Sequence, residues 1–265
     1  MKLNNQKNII RKLYEEEDYI KMNPLLHAED SQWKIETLLP FIDLFCKLNK
    51  KKTITILDIG GGAGLVLKGI SKYITENHFL EVRKYAVDFS KKMLEVQKKN
   101  NPDLIECLNG DINKINLRNW EIDIILMIDV LEHINNPKLT LKKLRKISKF
   151  IIFKVPLEDN FTLNLFNLLT FGRLRRIIIR KVGHINIYNL SNLKNDISVN
   201  CGKIVFSSLS NVHAHLLHSS RSKNLYLLKR IYGFFGLILY KFSPSLSSKV
   251  FYDFAIMLVR CDNEN

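Results

Sequence analysis

Short apolar runs alternate with stretches of helical spacing through the first 160 positions. Ile54–Leu57 is rich in β-branched residues and reads as a buried strand. Leu65–Ile74 continues at helical spacing. Tyr85–Asp88 reads as a second strand, Lys91–Asn100 as a helix stopped by Pro102, and Leu104–Leu108 as a third strand. Ile122–Ile128 is apolar apart from Asp123, the pattern of a strand covered on both faces. Asn136 with Pro137 forms a helix start, and that helix is expected to run to Ser148. Phe150–Val155 supplies a fifth strand, Lys203–Ser207 a sixth and Phe254–Val259 a last one. Strands and helices in alternation predict an α/β protein with a mostly parallel sheet.

Upstream, residues 5–22 have helical tendency, broken by Asn23 and Pro24. Ser31 is a candidate N-cap for a second helix carrying Ile35, Leu38, Leu39, Ile42, Phe45 and Cys46, with a kink expected at Pro40. Residues 1–50 are therefore expected to form a helical extension that covers the sheet edge or acts as a lid. Residues 51–265 form the main domain, with insertions at about 157–190 and 209–252.

The turn after the first strand carries the chemistry. Asp58, Gly60, Gly61, Gly62 and Gly64 place an acid and a run of glycines between a strand and a helix start, where backbone amides can approach an anionic or nucleotide-like ligand closely. A dinucleotide fingerprint starting at Gly60 requires Gly or Ala where Leu65 stands, and a P-loop requires Gly-Lys-Ser/Thr, whereas Gly69 is followed by Ile70. Asp88 closes the second strand at the distance at which such βαβ units place a ribose-binding acid; a helix-capping role beside Ser90 is the alternative.

Asp-x-Gly-x-Gly-x-Gly resembles the first motif of the class I S-adenosylmethionine-dependent methyltransferases. That resemblance implies a Rossmann-like seven-stranded sheet, with helices on both faces and a reversed last strand. It implies S-adenosyl-L-methionine as cofactor, with Phe89 beside Asp88 in the cofactor set. It assigns Asp111 to the adenine amino group and Ile112 to the ring, although Asn109-Gly110-Asp111 also reads as a simple turn. Asp129-Val130-Leu131-Glu132-His133 resembles the segment after the fourth strand in the group containing ubiquinone- and menaquinone-pathway enzymes and many small-molecule O-methyltransferases; Asp129 joins the cofactor set. Gly183-His184…Tyr188 is similar to a segment of the same group. The likeness covers residues 54–155 and fades beyond them.

Charge then changes the picture. The chain carries a net +15, and between Asn160 and Tyr252 thirteen Lys and Arg face a single acid, Asp196. An acid-free half points to an anionic partner: phosphate, nucleic acid or a membrane surface. The ten apolar or Gly residues from Ile231 to Tyr240 are too few to span a bilayer, which takes about 20, but suit an interface. Arg173, Arg175, Arg176 and Tyr188 are the candidate acceptor-side residues. The four cysteines are dispersed, so neither a disulfide framework nor a zinc knuckle is expected. Met1–Arg11 lacks the apolar core of a signal peptide, so the cytoplasm, with peripheral contact to a membrane, is the expected location.

An oxygen acceptor must lose a proton, which makes His133 and His184 the candidate bases. His213, His215 and His218 fit no common metal spacing, and no metal is expected. The expected reaction is methyl transfer to a small molecule, O-methylation favoured, the acceptor being an anionic lipid-linked or glycan-precursor compound. An RNA methyltransferase and a non-catalytic binding protein on the same fold remain open.

Overall fold

The computed structural model describes residues 30–117, 120–218 and 226–261; the helix expected over residues 5–22 lies outside them. A seven-stranded sheet runs in the order β3-β2-β1-β4-β5-β7-β6. The strands are β1 (Thr53–Ile59), β2 (Glu81–Asp88), β3 (Leu104–Asn109), β4 (Ile122–Ile128), β5 (Ser148–Leu157), β6 (Lys203–Leu209) and β7 (Asp253–Arg260). All neighbours pair in parallel except β7, which runs antiparallel to both β5 and β6. The reversed last strand is as expected.

Alternation along the strands produces two cores, one on each face. Leu57, Ile125, Met127, Ile151, Phe153, Val155 and Met257 point one way, against Leu141 and Leu144 of α4 (Pro137–Leu144) and Leu193 and Ile197 of α7 (Leu190–Asn200). Ile54, Ile56, Ile124, Leu126, Ile152 and Leu258 point the other way, against α1 (Ser31–Leu48) and α2 (Leu65–His78). This is the period-2 arithmetic of a strand buried on both faces. Helix α3 (Lys91–Asn100) begins at Ser90, whose side chain accepts from Met93 N.

Some boundaries differ from expectation. Helix α4 ends at Leu144 rather than Ser148, and β5 starts at Ser148, whose hydroxyl donates to the Phe150 carbonyl. Ser31 is the first helical residue of α1, and Asp30 holds the N-cap position without a side-chain cap bond. Pro40 lies inside α1 without ending it, facing solvent opposite buried Leu38, Phe41 and Ile42.

Because β5 and β6 both run opposite to β7, the chain leaves both at the same rim. The first insertion there folds as α5 (Phe161–Leu169) and α6 (Arg173–Val182), the second as α8 (Val212–His218), α9 (Tyr226–Phe242) and α10 (Pro244–Val250). Thr162 Oγ1 of α5 stands 3.4 Å from Tyr232 Oη of α9. The two insertions therefore meet above the carboxyl ends of the strands, where ligands of open parallel sheets bind.

Candidate active site

The glycine turn is built on three left-handed residues, Gly60, Gly62 and Gly64, with φ of 65°, 56° and 72°. A Cβ at Gly61 would fall 1.8 Å from Asp58 Oδ2, whereas a Cβ at Gly62 would meet nothing within 4 Å. The turn is therefore packed on the sheet side and open on the other, as a cradle for a ligand must be. Asp58 is 2% exposed and accepts from Gln97 Nε2 at 2.8 Å. Burial and the nearby Asp88 push its carboxyl up to about 7. Asp88 is buried too; its Oδ1 accepts from Ser90 N at 2.8 Å, and the amides of Gly62 and Phe89 also bear on it. Desolvation outweighs those bonds and raises it to about 6.

The β2 and β3 ends are tied together, since Gly110 N and Asn109 Nδ2 both donate to the Asp88 carbonyl. Phe89 is partly exposed beside them. Asp111 Oδ1 accepts from Asn113 N in a local turn, and Ile112 is buried in the core.

A cavity of about 270 Å³ opens beside the glycine turn, lined by Asp58 and Gly60–Gly62 on one side and by Trp33, Lys34, Asp129, Glu132, His133, His184, Tyr252 and Phe254 on the other. Asp129 sits at φ 57°, a left-handed conformation costly for a residue with a side chain. Its carboxylate binds Lys154 Nζ at 2.7 Å and Lys34 Nζ at 2.9 Å. The two cations hold it well below the usual carboxylate range despite burial. Lys154 is wholly buried; its ammonium lies 3.3 Å from the centroid of the Phe254 ring, and burial pulls it down to about 8.

His133 and His184 meet although they come from separate segments. Asn186 Nδ2 donates to the carbonyls of Leu131 and Ile134, and the Ile185 and Asn186 amides donate to the Glu132 carbonyl. This clamp lays residues 183–186 over the 3₁₀ turn Leu131–His133 and brings the two rings to 4.8 Å between centroids, edge to face. His184 Nδ1 pairs with Glu158 Oε1 at 2.6 Å, and Glu158 Oε2 receives Arg175 Nη1 at 2.6 Å. The Glu158 bond raises His184 above the usual imidazole value against its burial, while burial and the neighbouring His184 push His133 down to about 4. At neutral pH one ring is thus held toward the charged form and the other neutral.

The acceptor-side candidates separate. Arg175 joins the Glu158–His184 network, Arg173 and Arg176 are exposed on α6, and Tyr188 is buried in the core with its hydroxyl held protonated by desolvation. Sequence reading passed over Lys154 and Glu158. A lone lysine inside the apolar run Phe150–Val155, and an acid three residues beyond it, were the available signals.

A family model described as a methyltransferase domain matches residues 31–198. The chain belongs to that family. With the fold, this makes it a class I S-adenosylmethionine-dependent methyltransferase. A search of curated proteins finds no match. Among solved structures, this methyltransferase is similar to the plantazolicin methyltransferase BpumL in complex with a monoazolic desmethylPZN analog and SAH: 17% identity, 97% of this chain and 96% of that one, TM-score 0.59. The magnesium protoporphyrin IX methyltransferase ChlM from Synechocystis PCC 6803 with bound SAH matches at 14% identity over 96% and 99%, TM-score 0.58. The cyclopropane synthase MmaA2 from Mycobacterium tuberculosis matches at 13% identity over 84% and 83%, TM-score 0.56. At these identities the likeness is one of fold, and it does not single out the quinone-pathway group.

Proposed function

We propose that the protein transfers the methyl group of S-adenosylmethionine to an oxygen of a small, anionic, amphiphilic acceptor, of the lipid-linked or glycan-precursor type, taken from a membrane surface. The observation that carries this reading is one cavity with the glycine turn on one wall and the Glu132–His133–His184 cluster on the other. The cofactor supplies an electrophilic methyl on a sulfonium. Gly60–Gly64 and Asp58 form the cradle for its amino-acid end, Asp88 and Phe89 receive the ribose, and Asp111 with Ile112 borders the adenine. Asp129, already neutralised by Lys34 and Lys154, braces the cavity floor. His133, neutral at pH 7, suits proton removal from an acceptor hydroxyl, and His184, whose pKa the Glu158 bond raises, suits donating a hydrogen bond to the acceptor's oxygen. Helix α1 serves as a lid, since its Trp33 and Lys34 reach the cavity.

The test is calorimetry with S-adenosylmethionine, followed by labelled-methyl transfer into fractionated lipid, glycan and RNA extracts. Binding is expected in the wild type and is expected to fall at least about tenfold in Asp88→Ala, the loss of one charged hydrogen-bonding partner, about 1.5–3 kcal/mol. No heat in the wild type would favour the non-catalytic reading. Label in the RNA fraction alone would favour the RNA methyltransferase. His133→Ala and His184→Ala are expected to lower turnover while sparing cofactor affinity; full activity in both removes the acid–base proposal.

The membrane part rests on α5, α6 and α9. Neither α5 nor α6 has a buried residue. Phe166, Leu168, Leu169, Phe171, Phe234 and Phe242 are exposed, Phe171 to 88%. Arg173, Arg176, Arg180 and Lys181 stand among them. Apolar side chains interspersed with cations fit an anionic lipid surface, and among the described residues no helix is long and apolar enough to cross one. The protein is expected to float with liposomes containing anionic lipid at low salt and to release at high salt. Absence of flotation at low salt sinks this part.

A further inference from the structure

We propose that Glu132, His133 and His184 form a binding site for one divalent first-row transition-metal ion at the acceptor end of the cavity. One ligand atom from each side chain lies within 4.8 Å of the other two. Glu132 Oε1 is 3.9 Å from His133 Nε2 and 4.0 Å from His184 Nε2. These separations are too long for hydrogen bonds. Two ligands about 2.1 Å from a common ion stand roughly 3 to 3.4 Å apart, so closure by about half an ångström on the two Glu132 pairs, and by up to about 1.4 Å between the two rings, brings the set into coordination.

Two further observations point to a ligand. Glu132 is 1% exposed, lines the cavity, and neither of its carboxylate oxygens has a hydrogen-bond partner. A buried carboxylate left bare is costly, and such groups are almost always paired or bound to metal. The second is the setting of His184: Nδ1 is fixed by Glu158, and Glu158 is fixed by Arg175, which directs Nε2 toward Glu132. A carboxylate on the far nitrogen is the arrangement that orients and strengthens a ligating imidazole. Asp129, nearby, is bound to Lys34 and Lys154 and contributes no ligand.

The donor set narrows the ion. Two imidazoles and one carboxylate suit Zn²⁺, Mn²⁺, Fe²⁺ or Co²⁺ and are poor for Mg²⁺ or Ca²⁺, which prefer oxygen throughout. Three protein ligands leave positions open toward the cavity, as catalytic rather than structural sites do. Resting on the methyltransferase reading above, the site would take the acceptor's hydroxyl oxygen as a further ligand and lower its pKa. With the ion bound the histidines act as ligands, which replaces the base and hydrogen-bonding roles given them above, and the hydroxyl proton leaves to solvent water.

The experiment uses tag-free full-length protein stripped with chelator, titrated with Co²⁺ and followed by its visible absorption, with Zn²⁺ calorimetry and thermal melting in parallel. One equivalent of Co²⁺ is expected to give a saturating ligand-field band, and Zn²⁺ to raise the melting temperature. Glu132→Gln and His184→Ala are each expected to weaken binding at least tenfold, and Glu158→Gln about tenfold, the range for second-sphere partners. S-adenosylmethionine calorimetry on the same variants reports on the cofactor site separately. Cofactor heat absent with the Co²⁺ band present would overturn the methyltransferase reading and leave the metal site standing. No stoichiometric band in the wild type, or the same affinity in all three variants, overturns the site.

Discussion

Gly61→Ala is expected to abolish binding of S-adenosylmethionine, lowering affinity about a hundredfold or more, equivalent to about 2.7 kcal/mol. The new Cβ would stand 1.8 Å from Asp58 Oδ2 and 2.3 Å from its Cγ. Asp58 has nowhere to go, since it is buried at the end of β1 and bound to Gln97. The turn itself must shift, and overpacking of this kind typically costs about 1–3 kcal/mol of stability as well. Gly62→Ala separates the two effects. Its Cβ meets nothing within 4 Å, so the fold loses only the strain of a left-handed alanine, about 1–2 kcal/mol. Calorimetry and thermal melts on both variants decide the matter. If Gly61→Ala binds within threefold of the wild type, the glycine turn is not where the cofactor sits.

Asp129→Asn is expected to cost about 3 kcal/mol of folding stability at pH 7, of which about 1.4 kcal/mol is recovered by pH 9. Asparagine keeps the shape and tolerates the left-handed backbone, so the variant isolates the charge. Removing one member of a buried ion pair costs about 3–5 kcal/mol because the other is left uncompensated. Here the stranded group is Lys154, wholly buried, with its ammonium over the Phe254 and Trp33 rings. Its value in the wild type, about 8, already lies below that of an unfolded lysine, about 10.4. The folded state therefore binds fewer protons than the unfolded one across that window, and stability rises with pH through it. Without Asp129 the folded value drops further and the rise begins at lower pH, so the gap between the two proteins narrows by about 1.4 kcal/mol between pH 7 and pH 9. Urea melts at pH 7 and pH 9 measure this. An equal deficit at both pH values would mean that the lysine's charge is not the source.

The readable parts of the chain were those that depend on near neighbours. Strand Ile122–Ile128 was legible to the residue, because six apolar positions broken only by Asp123 and closed by Asp129 admit few other local structures. The Asn136 cap was legible because capping is a contact across three residues. The end of α4 was misplaced for the opposite reason: Lys142–Ile147 continue acceptable helix formers, and pairing of Ser148 with Ile122 on β4 sets where β5 begins.

By itself the sequence determined the α/β alternation, the glycine turn and the order of acids along the rim, since each is written in spacing that strand and helix periods convert directly into geometry. Tertiary structure alone decided that Lys34 and Lys154 converge on Asp129, and that Asn186 draws His184 against His133. It also decided that the helices after β5 and β6 meet, through Thr162 and Tyr232. Those contacts join segments whose separation along the chain carries no period, so only the closing of the sheet brings their charges within range of one another.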